Sequence, residues 1–278
     1  MRTTSSRLGR TCMALVLAAV GPISCSSSDT QTTPVNQTPA IGCAAPKQAD
    51  YNPVINPSDY STTIDNPFLP TIPGTVHTLK HADGNVTTMT VTSETKTIIG
   101  VTCVVVHDLV NAPGGAVIED TYDWYAQDKL GNVWYFGEDT KAYGADGSFS
   151  TKGSWTAGVN CAKPGIVMEA NPKVGDSYRQ EYLAGEAEDK ADILSLNESI
   201  TVAAGSFTGC IMTKDYSELE PNKVEHKTFC KGVGFVRSED IDGTGNGPKE
   251  DLIAISGGPQ GDAGTDADDA SLDSAPTD

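Results

Sequence analysis

The chain has 278 residues, with 37 Asp and Glu against 19 Lys and Arg, for a formal charge of −18. That acid excess repels polyanions and excludes nucleic acid and anionic membrane surface as electrostatic partners. It leaves a soluble acidic domain, with oxygen ligands to spare for a divalent cation.

The chain opens with Arg2, Arg7 and Arg10, followed by the apolar run from Met13 to Val20 and then Gly21-Pro-Ile-Ser24. A basic start, a short apolar core and small residues before a cut make residues 1–24 a secretory signal peptide. The apolar run is far shorter than the roughly 20 residues that span a bilayer. Cys25 closes this leader, which resembles the lipobox of bacterial lipoproteins, although Pro22 stands where that pattern prefers Leu. The resemblance implies that Cys25 is lipidated and that residues 25–48, rich in Ser, Thr, Pro, Gln and Asn, are a flexible tether. The partner it implies is a membrane, reached through the lipid. Asp29 is not next to the cysteine, so the inner-membrane retention signal is missing. The expected location is extracytoplasmic, at the outer membrane or the cell surface.

Residues 49–256 carry the apolar patterning, enough for one domain with its own core. They begin with a segment containing Pro53, Pro57, Pro67, Pro70 and Pro73, which excludes helix and central strand. Strands are then predicted at 76–80 and 86–92 around the turn Asp83-Gly-Asn85, and at 96–99, 101–107, 119–127 and 133–137. Further strands are predicted at 177–183, 189–196, 200–202, 207–215, 224–230, 234–237 and 252–255. Only residues 185–192 have helical composition. The fold class is therefore mainly β: a single antiparallel β domain, as a curved sheet, half-barrel or sandwich, with little helix. Residues 257–278 hold six Asp and no Lys or Arg, and cannot bury enough apolar surface to fold.

Cysteine usage fits an oxidising compartment. Cys210 and Cys230 flank a hairpin whose turn, Glu220-Pro-Asn222, lies near its midpoint, so a Cys210–Cys230 disulfide is expected. Cys103 has Cys161 or Cys43 as partner. No CxxC or zinc spacing occurs.

Long motifs support a further likeness. They are Asn66-Pro-Phe-Leu-Pro-Thr-Ile-Pro-Gly-Thr75, the run from Glu119 to Asp139, Gly175-Asp-Ser-Tyr-Arg-Gln-Glu-Tyr182 and Val224-Glu-His-Lys with Gly232-Val-Gly-Phe235. Over residues 60–240 the chain resembles a widespread group of uncharacterised bacterial secreted proteins and lipoproteins, which implies no activity. The ending with Gly205-Ser-Phe207, Cys210 and Gly232-Val-Gly-Phe235 is similar to curved-sheet periplasmic proteins of the lipoprotein-carrier type. That likeness implies an apolar ligand held in the concavity of the sheet.

The acidic and aromatic block 119–138 is the densest chemical feature. Period two puts Tyr122 and Trp124 on one face of their strand and Asp123 and Tyr125 on the other, with Trp134 and Phe136 together on the returning strand. Two readings stand. Aromatics opposite one another build a hairpin core, or Tyr122, Trp124, Trp134 and Phe136, with Asp123 and Tyr125, line a cleft for a carbohydrate or amphipathic small molecule. Asp240, Asp242, Thr244 and Asp251 match places one, three, five and twelve of an EF-hand-type loop, with Gly245 at the bend. Calcium is the cofactor this admits; the other reading is a solvated hairpin loop.

His107-Asp108 and Glu225-His226 are neighbours along strands and face opposite ways, so neither is a ready dyad. Ser93-Glu-Thr-Lys96 lacks its companion element. No HExxH, P-loop or dinucleotide fingerprint occurs. The leading functional reading is a non-enzymatic cell-envelope lipoprotein that binds a small amphipathic or apolar ligand or an envelope partner. The alternatives are an envelope hydrolase using carboxylates of the 119–138 block and a calcium-stabilised surface or adhesion module.

Overall fold

The computed structural model describes residues 51–241 and 249–258, and among them there is no α-helix. A short strand β1 (Tyr60–Ser61) precedes the long hairpin strands β2 (Val76–His81), β3 (Val86–Ile98), β4 (Val101–Asn111), β5 (Val117–Asp128) and β6 (Val133–Tyr143). Short strands β7 (Phe149–Ser150) and β8 (Trp155–Thr156) lead to β9 (Lys163–Met168), β10 (Ser177–Arg179) and β11 (Glu181–Tyr182). A second meander follows: β12 (Asp189–Val202), β13 (Gly205–Ser217), β14 (Val224–Cys230), β15 (Gly234–Asp240) and β16 (Lys249–Ser256).

Every pairing is antiparallel, in the order β10-β12-β13-β14-β15-β16-β2-β3-β4-β5-β6-β9-β11. The last strand, β16, pairs with the first long strand, β2, so the two meanders form one sheet and one domain. The two ends of the order, β10 and β11, are consecutive in the chain and separated only by Gln180, whose N–H donates to the Asp189 carbonyl at 2.8 Å. The right-handed twist of the strands therefore curls the sheet until its ends meet. Gly165 sits at that meeting, where a Cβ would collide with the backbone of Arg179 and Gln180. Glycine is required there because two backbones pass too closely for any side chain.

Local chemistry sets the hairpins. Ile99 and Gly100 both have positive φ and make the tight turn between β3 and β4. Between β5 and β6 the Asp128 carboxylate accepts from the N–H groups of Leu130 and Asn132, at 2.8 and 3.0 Å, and closes the loop.

The proline-rich opening segment is packed. It straps the outer face of β4–β6, with Ile64 and Phe68 buried in the same cluster as Trp124, Ala126 and Phe136. Tyr60 meets Trp134 and Phe136 edge-on at 6.0 and 5.4 Å. Asn66 fastens the strap by donating to the carbonyls of Gly131 and Glu169, at 3.0 and 3.1 Å. A smaller cluster of Leu79, Cys210, Cys230, Val236 and Leu252 surrounds the Cys210–Cys230 disulfide.

Three local expectations are corrected. Residues 185–192 are not helical: Gly185 turns with φ of +78°, and β12 starts at Asp189 because Ala191 and Ile193 alternate inward opposite Asp215 and Thr213. Cys103 does not pair. It is a free thiol on the strapped face of β4, with its Sγ 3.8 Å from the Val101 carbonyl, and burial raises its pKa to about 12. Cys161 is disulfide-bonded to a cysteine outside the described residues. Strand β9 was missed, since Lys163-Pro-Gly165 reads locally as a turn.

Two stability predictions follow from this closure and from the disulfide. Gly165→Ala should lower unfolding free energy by about 3 kcal/mol in a urea titration, because backbone must move. Replacing Cys210 and Cys230 with Ala should cost about 3 kcal/mol, the loop-closure entropy of a bridge spanning 20 residues.

Candidate functional site

Because the sheet curls, side chains of one parity on each strand share an interior. The inner residues are Thr87, Met89 and Val91 on β3, Val106 and Asp108 on β4, and Glu225, Lys227 and Phe229 on β14. Each of these strands runs from polar to apolar, so the interior has a polar layer beside an apolar one. Among the described residues the buried carboxylates are Asp108, Glu119, Asp123, Glu138, Glu181, Asp215, Glu225 and Glu250, against the buried cations Lys227 and His81. Eight acids against two bases is an unusual interior, since an unpaired buried charge is costly.

Three devices neutralise it. The first is ion pairing. The Lys227 ammonium lies 3.1 Å from Asp215 and 3.5 Å from Glu225. Burial alone would lower the Lys227 pKa; the surrounding carboxylates outweigh that and raise it. His81 Nε2 is 2.9 Å from Glu250, and the Thr87 hydroxyl donates to Glu250 at 2.7 Å. The second device is neutral hydrogen bonding: Tyr135 donates to Asp123 at 2.5 Å, and Gln180 to Asp215 at 3.1 Å. The third is protonation. Burial pushes Asp108, Glu138 and Glu181 well above the carboxylate range, and raises Asp123 and Asp189 each to about 7.

A cavity of about 80 Å³ opens in the interior between the strap and strands β2, β3, β4, β14, β15 and β16. Its body is apolar, lined by Leu69, Met89, Val91, Val106, Phe229 and Phe235. The adjoining polar layer presents Thr87, Asp108, Lys227 and Glu250 to it. Asp108 Oδ1 is buried and has no hydrogen-bond partner. A wider cleft of about 360 Å³ lies elsewhere, with Lys96, Trp124, Glu138 and Trp155 in its walls.

The six residues of the expected cleft do not share one surface. Tyr122 is exposed and stacks on His107 at 4.3 Å, and His107 pairs across strands with Asp120 at 2.8 Å. Trp124 is buried beneath the Lys96 ammonium, 3.2 Å from the ring centre, and lines the wider cleft. Trp134 donates to Asp128 at 2.9 Å, and Phe136 packs under Tyr60. Asp123 and Tyr125 point inward; Tyr125 stacks on Tyr135 at 5.0 Å and lines the apolar cavity.

Of the calcium-loop residues, Asp242 and Thr244 lie outside the described residues, as does Cys25. Asp240 ends β15, and burial with the nearby Glu225 raises its pKa to about 6. Asp251 is held by Arg237 in a two-point ion pair, with Nη2 donating at 2.7 Å. Among the described residues no group of three or more His, Cys, Asp or Glu is placed to hold a metal ion.

No family model matches the chain, and no curated protein matches it. Among solved structures the chain is similar to an exported protein with a YmcC-like fold from Bacteroides fragilis. The identity is 15%, the match covers 68% of this chain and 98% of that one, and the TM-score is 0.41. It is also similar to a lipoprotein from Parabacteroides distasonis at 16% identity, over 68% of this chain and 98% of that one, with a TM-score of 0.38. At these values neither neighbour assigns an activity to this chain.

From the sequence, Asp108 stands out only as the neighbour of His107, and Asp215, Lys227 and Glu250 do not stand out. A signal for Lys227 existed: it shares the parity of Glu225 and Phe229, and the aromatic marks that face as inward.

Lys227→Met strands two buried carboxylates and should cost about 3–5 kcal/mol at pH 7 by chemical denaturation. The raised carboxylates bind protons in the folded state that the unfolded chain has released, so stability falls as pH rises from about 4 through about 7. His77, lowered by burial, opposes this as a single group. The melting temperature should therefore fall between pH 5 and pH 8, with Asp123→Asn flattening the slope.

Proposed function

We propose that this chain is a cell-envelope lipoprotein. Its residues 49–256 form a non-enzymatic β domain that holds the apolar part of a small amphipathic ligand inside the curved sheet. Cys25 carries the lipid, residues 25–48 are the tether, and the anchor holds the domain at the outer membrane or cell surface. The observation that carries the binding reading is the cavity itself. An apolar body lined by Met89, Val91, Val106 and Phe229 adjoins a polar layer containing Thr87, Asp108, Lys227 and Glu250. A ligand with an apolar end and a polar end matches that division, because each part finds its own kind of surface.

The reaction classes considered from the sequence have less support. Glu119 and Asp123 are buried and Asp120 is tied to His107, which leaves Glu138 as the carboxylate of the 119–138 block in the wider cleft.

An environment-sensitive apolar fluorophore should bind the mature chain, tether retained and Cys25→Ser to remove the lipid, and be displaced by 1-hexanol. Met89→Trp should fill the cavity and weaken that binding about tenfold, a loss of roughly 1.4 kcal/mol, with the melting temperature retained. Absence of any apolar binding to that chain would overturn the reading. In the host, Cys25→Ser should abolish incorporation of labelled palmitate, and unchanged labelling would refute the anchor.

A further inference from the structure

Within the cavity of the proposed function, the polar layer has its charges matched unequally. Lys227 is compensated twice, by Asp215 and Glu225. Glu250 is compensated by His81 and by the Thr87 hydroxyl. Asp108 has no such match. It lines the cavity, is 8% exposed, and its Oδ1 meets no donor. Strand register places it beside Met89 on β3 and two residues from Val106 on β4, so the carboxyl stands at the head of the apolar space. The groups whose charge acts on it, Asp123, Glu250 and Glu119, are all acids. The basic groups of the cavity are Lys227, already matched twice, and His77, whose Nε2 bonds the Val233 carbonyl. A buried acceptor of this kind carries a penalty of about 1–3 kcal/mol, which a matching donor removes. A second carboxylate placed here would only add like charge.

We propose that the ligand's polar end is a primary amine, seated against Asp108 with its alkyl portion among Met89, Val91, Val106 and Phe229. This rests on the cavity reading above and narrows it to one class, alkyl amines over alkanols and alkanoates. Burial and the neighbouring acids raise the Asp108 carboxyl well above its ordinary range, which favours its protonated form. A neutral amine accepts that proton, and the new ammonium–carboxylate pair brings no net charge into the interior. An amine arriving as ammonium releases the Asp108 proton to solvent on binding, which conserves charge in the same way. Charge-assisted pairs of this type are stronger than neutral hydrogen bonds.

The test compares hexylamine, 1-hexanol and hexanoate by calorimetric titration of the mature chain, tether retained, with Cys25→Ser to remove the lipid. A salt concentration of about 0.3 M screens the general acidity of the surface but not a buried pair. Hexylamine should bind about tenfold tighter than hexanol, with hexanoate weakest. Asp108→Asn should remove the amine preference and leave hexanol binding in place. In the wild-type protein, the Met89 methyl resonance should shift on amine binding, which locates the ligand without any variant. Glu94→Gln, on the exposed part of β3 outside the cavity, should keep the preference. Hexanol binding as tightly as hexylamine, a preference that survives Asp108→Asn, or an unmoved Met89 methyl would overturn the proposal while leaving the cavity reading intact. Failure of all three ligands to bind would overturn both.

Discussion

The meeting of the sheet's two ends at Gln180 is the constraint on which the rest of the molecule depends. The bend sends Ser177–Arg179 to β12 and Glu181–Tyr182 to β9, so one short stretch of chain belongs to both ends of the strand order. Gly165 permits it by having no side chain where the backbones cross. An open flat sheet would leave the inner side chains of β3–β6 and β12–β16 in water. Curled, the same side chains face a common interior, and their ionisation becomes a structural matter.

That interior explains both the stability problem and the binding opportunity. Water would solvate eight carboxylates without difficulty. Buried, they must be paired, bonded or protonated, and the structure uses all three devices with Lys227 as the central cation. The Arg237–Asp251 pair on β15 and β16 has a different character, since it is only partly buried and joins strands at the sheet surface. Where the polar layer ends, Met89, Val91, Val106 and Phe229 line an apolar space, and the transition between the layers gives the cavity its two-ended chemistry.

The strap shows a separate principle. Aromatics at 122–136 were legible as a block, yet their roles depend on what covers them. Residues 60–68 lie over Trp134 and Phe136 and leave Tyr122 outside, so neighbours with the same parity have different fates. The bulge opposite Asp123 and Tyr125 puts its extra residue on β6, between Tyr135 and Glu138, and breaks strict alternation there. Distant chain segments decided this, and no local pattern in the hairpin carries the information.

Period-two alternation, β-branched runs and Gly-Asn-Asp turns made the strands readable because they act through near neighbours in the chain. Nearly every long strand and the antiparallel class followed from them, and the Cys210–Cys230 geometry followed from the symmetry of one hairpin. Residues 163–168 were unreadable, since Pro164 and Gly165 signal a turn unless the crossing at Gln180 is known. Residues 185–192 were ambiguous because Ala and Glu favour helix until Asp215 and Thr213 are set opposite them. By itself the sequence determined an acidic, antiparallel β domain, for these depend on composition and short-range pattern. Only the tertiary structure decided that Asp108, Lys227 and Glu250 share one interior, because the burial that shifts and pairs their charges exists only once strands far apart in the chain curl around the same space.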